Sequence, residues 1–220
     1  MPSSRSPRRG LRRLQRPVAP RLILMVKEPR AGRVKTRLAR QIGAAAATAV
    51  YRSMMWDTAA RVTVSRRWQT LLAVTPDTAV SSAMLPRSVH RVAQGGGDLG
   101  ARMARAMMRA PPGPVIVIGT DVPALTNEMI CRAFRALGSH DAVLGPAGDG
   151  GYWLVGFRHH KHAARAFAGV PWSTPQTLAA TLRNLKDSKV AVTDRLDDVD
   201  DASDLRRMRR AIGRRIAPRF

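Results

Sequence analysis

Short, uninterrupted apolar runs alternate along the chain with longer stretches whose apolar residues recur at helical spacing. That alternation marks an α/β protein on a mainly parallel central sheet flanked by helices. Parallel strands buried on both faces read as continuous apolar runs, and the connecting helices read as one-sided ones. The pattern predicts strands over 22–26, 68–74, 88–93, 114–119, 141–144, 152–157 and 189–193. It predicts helices over 36–62, 99–109, 126–137, 173–185 and 201–210, the first broken or kinked at Gly43. Met103, Ala106 and Met107 share one face of 99–109, which assigns them to the core. Ser173-Thr174-Pro175 supplies a hydroxyl cap and an early proline for the helix after it. Strand 152–157 can pair against 141–144 across a glycine-rich turn. The run 114–119, Pro-Val-Ile-Val-Ile-Gly, is the central strand, and Asp121 leaves its C-terminal end.

A chain of 220 residues supports one domain with tails. Residues 1–19 read as a disordered basic extension, 20–212 as the single folded domain and 213–220 as a basic tail. With 45% hydrophobic and 24% charged residues, global disorder is excluded. The formal charge of +23 is concentrated by arginines at both ends, whereas every acid lies between Glu28 and Asp204. Such a balance favours an acidic partner: a phosphorylated small molecule, a nucleotide or a membrane surface. Nucleic acid is disfavoured because no aromatic residue interrupts the cations of either tail before Phe220. The apolar runs are far shorter than the roughly 20 residues of a membrane-spanning helix, and the run after the N-terminal arginines ends at Lys27-Glu28-Pro29, unlike a signal peptide. A single cysteine, Cys131, among Met129, Ile130, Phe134 and Leu137, reads as a buried inert thiol and fits a reducing cytoplasm.

Candidate chemistry gathers where strands end. Between the first strand and the first helix, Lys27, Arg30, Arg33, Lys35 and Arg37 surround Gly32. A helix N-terminus at the C-terminal edge of an α/β sheet offers free amides to a phosphate. Lys27, Lys35 and Arg37 would hold di- or triphosphate oxygens, Lys35 and Arg37 as exposed cations at the helix start, while Gly32 lets the backbone approach. This is not a P-loop, because Pro29 and Val34 stand where its two glycines belong. Gly95-x-Gly97-x-x-Gly100 spells a dinucleotide fingerprint, but it is not in the first strand-to-helix turn, and Asp98 would oppose a pyrophosphate. It reads instead as a glycine turn shaping a nucleotide pocket. Asp121, then Asp149 on its glycine-rich turn, then Asp198, Asp200, Asp201 and Asp204 place acids at strand exits. Beside a basic loop, that describes a metal-phosphate site. His159, His160 and His162 lack metal-ligand spacing and read as a solvated cationic segment.

Six ordered motifs then become recognisable together: Lys27-x-Pro29-x-x-Gly32-x-x-Lys35-Thr36-Arg37-Leu38, Gln94-Gly95-Gly96-Gly97-Asp98-Leu99-Gly100-x-Arg102-Met103, Gly119-Thr120-Asp121-x-Pro123, Gly145-Pro146-Ala147-x-Asp149-Gly150-Gly151-Tyr152-Trp153-Leu154-x-Gly156, Trp172-Ser173-Thr174, and Asp198-Val199-Asp200-x-x-x-Asp204-Leu205. Over about 21–207 the chain resembles the bacterial family called domain of unknown function 2064, also described as radical-SAM/selenodomain-associated or glycosyltransferase-like transferases. The resemblance implies a nucleotide-diphospho-sugar transferase (GT-A) fold. It implies a metal-dependent transferase that uses a nucleotide or nucleotide-sugar substrate. The transfer would be glycosyl, or nucleotidyl as in 2-phospholactate and molybdenum cofactor guanylyltransferases. It implies Mg²⁺ or Mn²⁺ on Asp121 and, by motif, Asp200, although the late motif here lacks the relatives' proline. Asp121, Asp149 and Lys35 would be catalytic. Lys27, Gly32, Lys35, Thr36, Arg37, Gly97, Gly100 and Arg102 would bind the nucleotide and its phosphates, while Tyr152, Trp172 and Ser173 would meet the acceptor.

Overall fold

The protein is seen in a computed structural model that describes residues 19–212. The expected extension, apart from its last position, and the tail at 213–220 lie outside the described residues. Strands β1 (Arg21–Lys27), β2 (Gln69–Thr75), β3 (His90–Ala93), β4 (Val115–Ile118), β5 (Ala142–Pro146), β6 (Tyr152–Phe157) and β7 (Val190–Val192) form one sheet, in the order β3-β2-β1-β4-β6-β5-β7. Neighbours run parallel except at β6, which is antiparallel to β4 and β5. The short turn between β5 and β6 can only reverse the chain, whereas the parallel connections need crossovers. Helices α1 (Thr36–Ile42), α2 (Ala44–Thr63), α3 (Leu99–Arg109), α4 (Asn127–Ala136), α5 (Ala163–Ala166), α6 (Thr177–Asn184) and α7 (Ala202–Ile212) cover both faces. Gly43, at φ 87, separates α1 from α2, a left-handed conformation that a side chain would resist. No helix among the described residues is long and apolar enough to cross a membrane.

Alternation along the strands divides the core. Leu22, Leu24, Val26, Ile116 and Ile118 face α2 and α4, where Met55, Ala59, Val62 and Ile130 meet them. Ile23, Val115, Val117 and Phe157 face α3 and α5, meeting Met103, Ala106, Met107 and Ala166. A third cluster, Leu38, Val50, Met54, Val199, Leu205 and Met208, ties α1 and α7 to α2. This last cluster matters for function, because it draws the end of the chain back over the first loop.

One expectation about the helices needs correction. The helix expected from residue 173 begins at Thr177, because Ser173 adopts φ 60, a left-handed conformation no α-helix accommodates. The hydroxyls of Thr174 and Thr177 instead donate to the carbonyl of Pro171, making a turn ahead of α6. In the histidine segment His159 and Lys161 are exposed and His160 and His162 half-buried; His160–His162 form a 3₁₀ turn into α5, whose Ala163 and Ala166 are fully buried against the core. A helix of one turn leaves too few positions for a period to be read. Cys131 is buried as expected, and Arg67 Nη1 donates to its Sγ at 2.9 Å.

Candidate active site

Strand order reverses at β1: the chain first winds outward to β2 and β3, then returns to place β4 on the other side. The crevice above the C-terminal ends of β1 and β4 is where open α/β sheets take ligands. The basic loop leaves β1 there and Gly119-Thr120-Asp121 leaves β4. A Cβ at Gly119 would lie 2.8 Å from Asp121 Oδ1, so a larger residue there would push the Asp121 carboxylate out of its present position. The end of the chain completes the crevice. Val199 is buried and its N–H donates to the carbonyl of Asp121 at 3.1 Å. Asp198 and Asp200, on either side of it, bring their carboxylates to Asp121. Asp204 Oδ2 accepts from the backbone N–H groups of Asp200 and Asp201, fixing the turn into α7.

One oxygen from each of Asp121, Asp198 and Asp200 lies within 4.8 Å of the others. Lys35 enters this group from the N-cap position of α1 in a left-handed conformation (φ 45, ψ 51). Its ammonium donates to Asp121 Oδ2 at 2.7 Å and to Asp200 Oδ1 at 2.8 Å, and its side chain is 7% exposed. Burial alone would lower its pKa, but Asp121 and Asp200 outweigh burial and hold it above the ordinary lysine value. Lys35 is therefore not the exposed cation expected at this helix start, whereas Arg37, 72% exposed and 3.5 Å from Asp200 Oδ2, is. Burial, reinforced by Asp200 and Asp121 and opposed by Lys35, pushes the Asp198 carboxyl up to about 6. Hard carboxylate oxygens converging where positive charge is already held fit a divalent cation, with Asp121, Asp198 and Asp200 as the residues that would hold it.

Two cavities meet at this group. A cleft of about 520 Å³ is lined by Lys27, Arg33, Lys35, Thr36, Arg37 and Arg102, with Asp121 and Asp200 at its edge. A second cavity of about 210 Å³ lies beyond Asp121, among Tyr152, Trp172, Ser173, Asp149 and Asp198. Asp149 does not line the cation cleft, although it shares a neighbouring surface pocket with Arg37 and Asp200, and its Oδ1 accepts from the N–H of Gly151. Lys35 and Ser173 are the only non-glycine residues at positive φ among the described residues, and each lines one of these cavities. Gly32 and Gly97 are exposed turn residues outside both linings. Gly100 is buried where the Trp172 ring approaches α3.

Two participants escape sequence reasoning. Asp198 reads in the sequence as one of several late acids; its signal as a ligand is the apolar Val199 between two acids. In an extended segment that places both acids on one side. Tyr51 lies inside α2 and looks like core, yet its hydroxyl donates to the carbonyl of Lys27 and accepts from the N–H of Lys27, both at 2.9 Å. It clamps the start of the basic loop.

Residues 58–174 match the sequence profile of a family described as uncharacterized proteins conserved in bacteria, DUF2064. The chain belongs to this family. No curated protein matches it at a significant level. Among solved structures it is similar to a protein from Desulfovibrio desulfuricans G20 described provisionally as a nucleotide-diphospho-sugar transferase. The two are 28% identical with a TM-score of 0.82, over 90% of this chain and 89% of that one. It is similar in fold to 4-diphosphocytidyl-2C-methyl-D-erythritol synthase from Anaerococcus prevotii DSM 20548 (12% identity, TM-score 0.57, 89% and 98% of the two chains). The manganese complex of Rv0371c from Mycobacterium tuberculosis H37Rv has the same fold (18% identity, TM-score 0.53, 87% and 98%). This DUF2064 member accordingly has the α/β fold of nucleotide-diphospho-sugar transferases.

Proposed function

We propose that the protein is a metal-dependent transferase that moves a glycosyl group from a nucleotide sugar to an acceptor. The observation that carries this is the meeting, at Asp121, of a cation-lined cleft with a cavity whose charged lining is wholly acidic. A cleft with Lys27, Arg33, Lys35, Arg37 and Arg102 suits a chain of phosphates, each cation donating charge-assisted hydrogen bonds to phosphate oxygens. The two left-handed residues, Lys35 and Ser173, add support, since strained backbone concentrates at working sites.

Bound to Asp121, Asp198 and Asp200, Mg²⁺ or Mn²⁺ would supply charge neutralisation at the diphosphate. Lys35 and Arg37 stabilise negative charge on the leaving phosphate oxygens as the bond to the sugar breaks. Asp149, across Asp121 from those cations, takes the proton of the acceptor hydroxyl. Tyr152, Trp172 and Ser173 form the acceptor's side of the site. The likeness to the Desulfovibrio desulfuricans protein supports transfer from a nucleotide sugar. Nucleotidyl transfer is the second reading, supported by the number of cations along the cleft, enough for a triphosphate.

A thermal-shift panel of nucleoside di- and triphosphates and nucleotide sugars, with and without Mg²⁺ or Mn²⁺, tests the proposal, because a ligand of the folded state raises the melting temperature. A shift by nucleotide sugars that requires the ion is expected. No shift by any nucleotide with either ion would exclude it.

A further inference from the structure

The acceptor side carries a chemical signature of its own. Its charged lining residues are Asp121, Asp149 and Asp198, and no cation lines it among the described residues, whereas the cleft across Asp121 has five. Apart from Ser173 and Thr177, the remaining side chains of the wall are mainly apolar: Met25, Leu99, Met103, Val117 and Val155, with Tyr152 and Trp172 set edge to face, 6.3 Å between ring centres. Arg102 illustrates the segregation. It lines the cation cleft, and its neighbour Met103, one position on in α3, lines the acidic cavity.

We infer that the acceptor is an uncharged hydroxyl compound with a compact apolar face, and that phosphorylated acceptors are excluded. This rests on the transferase reading above and deepens it. With the ion on Asp121 and Asp198 already engaged by the donor's diphosphate, an acceptor phosphate in this cavity would meet the Asp149 carboxylate with no side-chain cation in the lining to pair it, and like charges repel. An ammonium acceptor would pair with Asp149 but is not a nucleophile while protonated. A hydroxyl meets both demands. Its oxygen forms the bond to the donor's anomeric carbon while the bond from that carbon to the diphosphate breaks. The electron pair leaves on the diphosphate oxygen, on the Lys35 side, and the hydroxyl proton passes to Asp149. The volume of about 210 Å³ compares with roughly 150 Å³ for a cavity that takes up benzene, so the bound part has on the order of ten non-hydrogen atoms. Tyr152 and Trp172 suit the apolar face of a sugar ring or an aromatic ring.

Ligand-observed NMR on the full chain, saturated with Mn²⁺-free Mg²⁺ and a nucleoside diphosphate so that the ion and the cation cleft are occupied, tests this with two matched pairs: methyl β-glucoside against glucose 6-phosphate, and benzyl alcohol against phenyl phosphate. The neutral member of at least one pair is expected to bind at least tenfold more tightly than its phosphorylated partner, and the pair that responds distinguishes a sugar-like from an aromatic acceptor. Trp172→Ala should reduce that binding at least tenfold. Because Trp172 also packs on α3, the exposed Asp149 provides a second variant: Asp149→Lys should reverse the preference toward the phosphorylated member. Tighter binding of a phosphorylated probe to the parent protein, lost in Trp172→Ala, would overturn the inference. So would a preference unchanged by Asp149→Lys. Failure of nucleotides to bind, by contrast, is read in the thermal-shift panel and sinks the transferase reading instead.

Discussion

Lys35 Nζ lies 2.7 Å from Asp121 Oδ2, although 86 positions separate the two residues along the chain. One follows β1 and the other β4, so the reversal of strand order at β1 is what makes them neighbours. Asp200, arriving from the start of α7, takes the same ammonium at 2.8 Å. In the metal-free protein Lys35 is thus the counter-ion of a carboxylate group that would otherwise repel itself.

Lys35→Met, which keeps the chain length and removes the charge, is expected to lower the stability of the metal-free protein by about 1–3 kcal/mol. Removing one partner of a buried pair strands the other, here moderated because Asp121 and Asp200 are each about one-third exposed. Millimolar Mg²⁺ should recover part of the loss. Arg37→Ala, at an exposed position, should leave the melting temperature unchanged while weakening nucleotide binding. Urea denaturation and calorimetry of both variants decide the matter: a Lys35→Met protein as stable as the parent means that Lys35 is not the counter-ion.

Asp198 gives a pH-dependent expectation. Its carboxyl titrates at about 6 in the folded protein against an ordinary 3.8, so the folded state holds the proton more tightly than the unfolded state. The stability it contributes is complete below pH 3.8 and is lost as pH rises through about 6. Above that, its charge opposes folding. Asp198→Asn removes the charge and should stabilise the metal-free protein at pH 7.5 by about 1 kcal/mol after allowance for solvent screening, with little gain at pH 4.5. Denaturation curves at the two pH values without divalent ions check this, and an equal gain at both would show that the effect is not ionisation.

Tyr51→Phe should detach the basic loop from its anchor. The substitution removes a donor to the Lys27 carbonyl and an acceptor for its N–H, each worth about 1 kcal/mol. Nucleotide affinity is expected to fall several-fold with the fold intact, and hydrogen exchange should rise locally at residues 27–35. Unaltered exchange there would remove the clamp from the account.

The middle of the sheet was legible in the sequence because its central strands are buried on both faces, and runs such as Val115–Ile118 state this without ambiguity. The strand-exit positions of Asp121 and the basic loop followed from it. Lys35 was legible as a cation at a helix start but not as a buried one, since its burial depends on Asp200, which is distant in sequence and returns only because Val199, Leu205 and Met208 pack on α1 and α2. Asp198 was obscured for a related reason: an aspartate in a turn-rich acidic stretch is ordinarily a cap, a role that Asp201 and Asp204 do fill. Local pattern reports which residues can cap or pack. Only tertiary closure selects which acids face one another.

The metal assignment separates the four acids. Asp121 leaves the most buried strand, its backbone receives the Val199 N–H, and its carboxylate reaches both cavities. Asp198 and Asp200 approach it from the other end of the chain, while Asp149 holds its own turn through Gly151 and stands outside the group of three converging carboxylates. Exchanging aspartate for asparagine keeps the shape and one oxygen but removes the negative charge a hard cation needs. Asp121→Asn is therefore expected to abolish Mn²⁺ binding as read by electron paramagnetic resonance, and with it the ion-dependent part of nucleotide binding, without unfolding the protein. Asp198→Asn and Asp200→Asn should each weaken the ion at least tenfold, with Asp200→Asn the milder because Lys35 and Arg37 already share its charge. Asp149→Asn should leave Mn²⁺ affinity unaltered and lower turnover. Should Asp149→Asn lose the ion while Asp121→Asn keeps it, the cation belongs on the glycine-rich turn, and the roles given to the two carboxylates are exchanged.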